Sequence, residues 1–394
     1  MRRLVRPFGE GDIVRDPGFE LSPSVEARRG GSEIIDELAG EWRELCERAQ
    51  AGQPFYRPEW TKAYLHAFAP RAKLLVITAR VAGSLRAVLP LVEEHGFFLG
   101  MPVVRLRGAA NAHSCRFDMV QGAGAGAGAV LSAVWRFLEE MPGWDLIELP
   151  NVPAAGAIEA LAELARANGF PVGRHGSMCC PYIPLAGLTD RDSLLLRTSA
   201  NFRSNVRRKS RQLKARGELA PRLVTDASPE ALQSFYDLER SGWKGKKGTA
   251  IDCHERTRRF YDEIAINAER FGYLSLWFLD FNGRPIAAQF GVTYAGRYFM
   301  PKLAFDEEFR QYGPGHLLIY EILRACVERG ISEYDFTGPW AEYKAKWTSA
   351  GRPHSTFWIF RRSAWGRTLY TMKFKVEAGL KQTLRPWVRA LEAK

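Results

Sequence analysis

The sequence predicts an α/β fold of the α+β kind: a tandem pair of similar lobes, each a mixed, mainly antiparallel sheet flanked by helices. Three correspondences between the halves carry that expectation. Gly83 and Gly96, read as turn glycines, recur at the same spacing as Gly283 and Gly296. A helical run ending at Glu140 leads to Trp144-Asp145-Leu-Ile-Glu-Leu-Pro150, and one ending at Glu328 leads to Tyr334-Asp335-Phe-Thr-Gly338. Trp42-Arg-Glu-Leu-Cys-Glu-Arg48 pairs loosely with Phe235-Tyr-Asp-Leu-Glu-Arg240. Coincidences in one order argue for a duplicated unit.

The elements follow in turn. Residues 1–30, rich in Arg, Gly and Pro without periodicity, read as a loose leader. Trp42, Leu45, Cys46 and Ala49 at helical spacing mark a helix over 32–49, and a second follows at 58–68. Strands are expected at 73–81 and 85–93, with turns at Ala82-Gly83 and His95-Gly96. After helix 130–140 and its strand, Pro, Gly and small residues over 181–189 mark the seam between lobes. The second half gives strand 273–281, an Asn282-Gly283 hairpin, strand 284–294, a turn at Ala295-Gly296, strand 297–304, helix 316–328 and strand 331–337. The expected domains are therefore a leader (1–30), a first lobe (31–182), a second lobe (183–362) and a basic amphipathic tail (363–394). Trp365, Leu369, Phe374, Leu380, Leu384 and Trp387 in that tail suit a membrane surface or docking on the fold equally.

The chain has 394 residues, 46% apolar and 25% charged, enough for a real core. Its net charge of +12 admits a polyanionic partner such as a nucleotide, tRNA, anionic lipid or acidic glycan. Six cysteines fall at no regular spacing, which argues against a metal or disulfide framework. No apolar run is long enough to span a bilayer and no signal peptide is evident, so the reading is cytoplasmic, with peripheral contact on the inner membrane face as an option. No Ser/His/Asp or Cys/His arrangement is supported, and His113-Ser114-Cys115 is suggestive in composition only.

The densest chemistry lies over residues 297–347. Arg310-Gln-Tyr-Gly313-Pro-Gly315 opens directly into helix 316–328, so Arg310 and the Gly313–Leu317 amides, with Gly315, His316 and Leu317 among them, can cradle phosphates. Such a turn suits a pyrophosphate, as found in coenzyme A, and makes the chain an acyltransferase candidate. His316 is placed to contact phosphate or act as a base. Asp335 either accepts a proton from an attacking amine or fixes the loop that follows it. Asp306 stands just ahead of the turn and can deprotonate an incoming ammonium. Trp340-Ala-Glu-Tyr343-Lys344-Ala-Lys-Trp347 packs cations, a carboxylate and aromatics together. There Tyr343 can protonate a departing thiolate, and Lys344 and Trp347 can hold an anionic acceptor. The basic helix 202–216, with Arg207 and Arg208, and the Trp243-Lys244 loop can steer a phosphorylated acceptor, lipid or RNA. In the first lobe, the run from Gly122 to Gly128 offers amides without a neighbouring cation, which leaves the second lobe as the expected donor half.

From about residue 50 to 360 the chain resembles the CelD/BcsL-type, or BioF-like, acetyltransferase domains of the GNAT superfamily. The residues that carry this are Asp306, Tyr312-Gly-Pro-Gly315-His-Leu-Leu, Asp335-Phe-x-Gly338 and Tyr343-Lys344-x-x-Trp347. Arg207-Arg208-Lys209, Trp243-Lys244-Gly245 and Pro58-x-Trp60 with Leu89-Pro90-Leu91 join them. The resemblance implies a tandem pair of GNAT-like lobes related to the Fem-type peptidyltransferases. It implies acetyl-CoA or a longer acyl-CoA as co-substrate, no metal, and an amine acceptor from a cell-envelope, polysaccharide or lipid precursor. Under that likeness Arg310, Gly313 and Gly315 fall on the donor's phosphate turn. Two other functions stay open at this point: a Fem-like transferase fed by aminoacyl-tRNA, and a non-enzymatic binding component of a polysaccharide or lipid assembly system.

Overall fold

A computed structural model describes residues 22–49, 52–188 and 193–376, and for Ser193, Trp243 and Lys244 the backbone alone. A sheet of 13 strands forms its centre. The first half contributes β1 (Ser24–Gly30), β2 (Lys73–Val81), β3 (Ser84–Phe98), β4 (Met101–Gly108), β5 (Val120–Gln121), β6 (Leu146–Pro153) and β7 (Val172–Pro184). The second adds β8 (Leu219–Val224), β9 (Leu274–Phe281), β10 (Arg284–Tyr294), β11 (Arg297–Phe305), β12 (Glu333–Asp335) and β13 (Gly351–Phe360).

One pairing order occurs twice. Strands β1 to β4 form an antiparallel meander and β4 runs parallel to β6. Likewise β8 to β11 form a meander and β11 runs parallel to β12. The closing strands are exchanged between halves: β13 lies antiparallel against β6, and β7 against β12. Because β7 and β13 also pair with each other, the two sheets are continuous.

Turn chemistry explains the meanders. Ala82-Gly83, Leu99-Gly100, Asn282-Gly283 and Ala295-Gly296 each have positive φ at both residues, the two-residue hairpin conformation whose twist matches that of the strands. Gly96 is the exception to the sequence reading. It sits inside β3 opposite Val103, and the hairpin turns later, at Leu99-Gly100. The structural counterpart of Gly296 is therefore Gly100. Residues 24–30, expected within the leader, form the edge strand β1, in which Val25 and Ala27 lean on the core between charged Glu26 and Arg28.

Strand β2 is buried on both faces. Leu74 and Val76 point to one core, Leu75 and Ile77 to the other, as the two-residue period of a strand requires. The first core is shared by both halves: Trp42, Trp60, Phe235 and Phe260 bring together helices Glu33–Arg48, Pro58–Phe68, Pro229–Ser241 and Glu255–Arg270. Trp60 meets Phe260 edge to face at 5.8 Å. On the opposite face, helices Ala127–Glu140 and Ala157–Ala167 cover the first sheet, and Ala200–Lys214 and Pro314–Glu328 cover the second. Helix Ala364–Thr371 and the turn Met372–Val376 dock on β13, with Phe374 against Trp358 and Phe360. Leu380, Leu384 and Trp387 lie outside the described residues. Among the described residues no helix is long and apolar enough to cross a membrane.

Candidate active site

Strands β11 and β12 pair only over Arg297–Phe299 with Glu333–Asp335, and then part. On its other side β11 shifts register against β10 between Phe290 and Val292. Thr337, at φ 46°, turns the chain away from the sheet while its hydroxyl donates to the Met300 carbonyl at 2.6 Å. The gap opens onto a cavity of about 840 Å³. At one end stand Phe202, Asn205, Lys209, Arg310 and the Gly313–His316 turn; at the other stand Ala112, Cys115, Tyr261 and Lys302.

The turn itself is built for approach. Gly313 takes φ 62°, in the left-handed region that glycine adopts without strain, and Pro314 fills the first helical position, where a missing N–H costs nothing. No side chain caps this helix start. The His316 and Leu317 amides turn back to the Gly313 carbonyl at 2.9 and 3.2 Å. The Gly315 N–H has no bonded carbonyl among the described residues, and Gly315 lines the cavity. Lys209 closes the corner: a Cβ placed on Gly313 would stand 3.5 Å from its Nζ. Lys209, Lys302, Arg310, Lys344 and Lys346 all reach the cavity wall, and no described lining residue is a carboxylate. The charged groups on the wall are cations, of which Arg310 is paired with Glu307 at 3.2 Å and Lys346 with Glu342 at 3.6 Å.

The structure gathers some of the expected residues and commits others elsewhere. Gly313, Gly315 and His316 line the cavity together, as do Arg310, Tyr343 and Lys344. Leu317 is buried in the core beneath, its amide spent on the helix. His316 Nδ1 accepts the Trp347 indole N–H at 3.0 Å, and burial, helped by Lys346 and Lys209, pushes the imidazole down to about 4. It is a neutral ring whose Nδ1 is already engaged. Trp347 is buried and meets Phe202 edge to face. The Tyr343 hydroxyl makes no hydrogen bond among the described residues, and burial raises its pKa. Lys344 donates to the Thr337 and Pro339 carbonyls at 2.7 and 2.9 Å, so it holds the loop that forms the wall; burial lowers its ammonium to about 8.

Three expectations are redirected by the structure. Asp335 is fully buried and accepts from Arg116 Nη2 at 3.0 and 2.9 Å, from Arg352 at 3.1 Å and from the Thr337 N–H at 2.8 Å. With those four bonds it fixes the loop and does not face the cavity. Asp306 accepts from the Glu308 N–H and from Arg284, and it is absent from the cavity wall. Arg207 and Arg208 lie on the exposed face of helix Ala200–Lys214, and Phe202, Asn205 and Lys209 are the residues that face inward. The side chains of Trp243 and Lys244 lie outside the described residues.

Sequence reasoning missed Arg116, wholly buried and bonded across the seam to Asp335, with Gln53 on its other nitrogen. Its signal was a lone Arg within the run from Ser114 to Val120, where it needs a buried partner. Cys115 was also missed as a cavity residue. It takes φ 62°, ψ −54° at the centre of a tight turn closed by Arg116 N–H to Ser114 O at 2.7 Å.

The first lobe repeats the helix start but not the opening. Helix Ala127–Glu140 also begins at a left-handed glycine, Gly126, without a side-chain cap. There β4 and β6 pair over Arg105–Arg107 and then part, and the chain's own segment fills the gap. The Phe117 N–H donates to the Asn151 carbonyl, and its ring lies where a Cβ on Gly108 would come within 2.6 Å. A small cavity of about 190 Å³ remains by Gly126, with Arg86 on its wall, a cation the sequence reading did not place there. Among the described residues no group of three or more His, Cys, Asp or Glu could hold a metal ion.

Residues 200–345 match the acetyltransferase (GNAT) domain family. No curated protein matches the sequence. Among solved structures, FemX superposes with a TM-score of 0.57 at 13% identity, covering 88% of this chain and 99% of its own. The C-terminal domain of a putative lysylphosphatidylglycerol synthetase from Agrobacterium fabrum gives 0.53 at 11%, covering 85% and 95%. L-PGS from Bacillus licheniformis gives 0.50 at 11%, covering 84% and 94%. Likenesses at such identity speak for the fold. The residues matched to the GNAT domain lie in the half whose sheet opens onto the cavity.

Proposed function

We propose that this chain is an N-acyltransferase that moves an acyl group from acyl-CoA to an amine of a cell-envelope, polysaccharide or lipid precursor, as CelD/BcsL-type relatives would. One observation carries the reading: an uncapped, glycine-lined helix start opens onto a cationic cavity in the gap between β11 and β12. The diphosphate of the donor sits at Gly313–Gly315 with Lys209, Arg310 and Lys346 around it. Its thioester runs into the gap, where a backbone N–H polarises the carbonyl. The amine attacks, forming the C–N bond as the C–S bond breaks, and the Tyr343 hydroxyl protonates the departing thiolate. No carboxylate stands on the wall to take the ammonium proton. The proton leaves through water, helped by the like charge of Lys344, a wall cation that the donor's phosphates do not engage.

A second reading is favoured by the exposed row Arg207, Arg208, Arg211 and Lys214 beside the cavity, and by the likeness to FemX. It is a Fem-like transfer whose donor is aminoacyl-tRNA. Free-thiol release from acetyl-CoA and longer acyl-CoA, run with and without ribonuclease, separates the two. Thiol release that ignores ribonuclease supports the first, and activity that needs RNA supports the second. Calorimetry showing no binding of CoA or of any acyl-CoA would remove the first reading.

A further inference from the structure

His316 is the third residue of the helix that the Gly313 turn opens, and its side chain lines the cavity. Three aromatic rings hold it: Phe202 meets it edge to face at 5.1 Å, Trp347 lies tilted at 6.0 Å and Tyr343 stands at 6.5 Å. The Trp347 indole N–H, which can only donate, reaches Nδ1 at 3.0 Å. Nδ1 is therefore an acceptor. Burial, with Lys346 and Lys209 adding like charge, keeps the imidazole neutral. In a neutral ring one nitrogen accepts and the other carries the proton, so here the proton sits on Nε2. Nε2 makes no hydrogen bond among the described residues, nor is it one of their fully buried unpartnered nitrogens, so it reaches open space in the cavity. Cδ2, the carbon beside it, lies 3.9 Å from where a Cβ on Gly313 would stand, and Lys209 Nζ lies 3.5 Å from the same point. The Nε2 side of the ring and the Lys209 ammonium thus flank the glycine turn.

We infer that His316 binds the donor's diphosphate through its Nε2–H, and that Trp347 is a positioning residue that fixes the tautomer this requires. The inference rests on the acyl-CoA reading of the cavity. It also takes His316 out of the proton transfer: the in-plane lone pair of Nδ1 is committed to Trp347, and the ring has no other with which to accept the ammonium proton. A neutral donor suits this corner. It gives the phosphate oxygens a directed hydrogen bond without placing an imidazolium beside Lys209 and Lys346, which would repel it. The pairing is reciprocal, because the other tautomer would leave the N–H of buried Trp347 without its acceptor. Through the same bond Trp347 ties the segment that carries Tyr343 to the helix start where the phosphates sit.

The test uses the whole chain, with thermal melts to verify the folding of each variant. Nitrogen NMR of histidine-labelled protein should show His316 as the Nε2–H tautomer alone. Trp347→Phe, which keeps an aromatic ring and removes the N–H, should mix the two tautomers. Calorimetry with CoA and with inorganic pyrophosphate reads the binding. His316→Asn, whose amide reaches only as far as Nδ1, should weaken both ligands by about ten- to hundred-fold, the range for a hydrogen bond to a charged group. His316→Gln, whose amide nitrogen reaches the place of Nε2, should keep most of the affinity, and Trp347→Phe should lose about two- to tenfold. An Nδ1–H tautomer or an imidazolium in the unmodified chain, a single tautomer that survives Trp347→Phe, or a loss as large in His316→Gln as in His316→Asn overturns the inference. If pyrophosphate binds and responds as expected while CoA does not bind, the donor reading fails and the role of His316 toward a diphosphate stands. If CoA binds the unmodified chain and His316→Asn alike, the inference alone fails. Binding of neither ligand overturns both.

Discussion

Replacing Asp335 by Asn separates a structural carboxylate from a catalytic one. Asp335 lies at the end of β12 with no exposed surface and takes four hydrogen bonds, two of them from Arg116 Nη2. Arg352 also reaches it, but that guanidinium keeps Glu333 at 3.0 Å when Asp335 is neutralised. Among the described residues Arg116 has no second carboxylate, and its remaining side-chain hydrogen bond goes to Gln53. The substitution therefore strands one buried guanidinium at the seam between lobes. Removing one partner of a buried pair costs about 3–5 kcal/mol, a large part of the roughly 5–15 kcal/mol that holds a typical domain folded. Urea unfolding should show the midpoint of Asp335→Asn falling accordingly. Arg116→Met in the same background should recover part of the loss, because it removes the stranded guanidinium. A loss under about 1 kcal/mol, or a double variant no better than the single, refutes the argument. A large fall in turnover with unchanged stability would instead return Asp335 to the chemistry.

The other predictions concern the cavity and its buried bases. Tyr343→Phe should cut acyl transfer by about 10²–10⁴ if its hydroxyl protonates the thiolate, read as free-thiol release; unchanged turnover removes Tyr343 from the mechanism. Lys209→Met should weaken CoA binding by about tenfold or more, whereas Arg208→Met, on the outer face of the same helix, should leave it unchanged in calorimetry. His113, His316 and His354 are each pushed down to about 4, chiefly by burial, from an unfolded value of 6.5. Their folded pKa values are depressed, so the stability they contribute is complete above pH 6.5 and is lost as pH falls toward 4. His354 is the cleanest probe, because its Nε2 is buried without a partner among the described residues. His354→Leu should flatten the fall in urea midpoint over that window by up to about 1.4 kcal/mol per pH unit, and an unaltered slope counts against it.

Much of this architecture was legible because it is local. Asn282-Gly283 and Ala295-Gly296 announce hairpins through the positive φ they tolerate, and β10 matches its expected range. The Gly313-Pro-Gly315 turn was legible too, since a proline just inside a helix start and a glycine just before it have few other uses. What resisted reading depends on partners distant in sequence. The exchange of β7 and β13 between sheets leaves no trace in periodicity, since either strand would alternate in the same way in its own lobe. The docking face of helix 202–216 was legible from Phe202, Val206 and Leu213 at helical spacing, but Asn205 and Lys209 were hidden because Arg207 and Arg208 carry charge as conspicuously. From its position at a strand end, Asp335 could serve either as a proton acceptor or as the anchor of the loop that follows. Its partner Arg116 lies in the other lobe, and the pairing, not the position, sets its role.

The strand exchange also explains why the cavity lies where it does. The chain leaves the second sheet at Asp335 and enters the first at Gly351, so the segment between must cross the seam. That segment supplies Phe336, Thr337, Gly338, Pro339, Tyr343 and Lys344 to the cavity wall. Both of its ends are pinned: Thr337 to Asp335 and Met300 at the start, and the Thr348 hydroxyl to the Tyr182 carbonyl of β7 at the finish. Lys344 ties its middle back to Thr337 and Pro339. The wall facing a donor's reacting end is thus held in place by the contact between lobes. Without that contact a single lobe would keep the glycine turn but lose both the anchorage of Tyr343 and the far end at Cys115. In the first lobe the equivalent gap is closed by Phe117, two residues beyond Cys115, so one short segment fills one notch and helps to line the other. A duplicated fold with one open gap and one filled gap follows from that asymmetry.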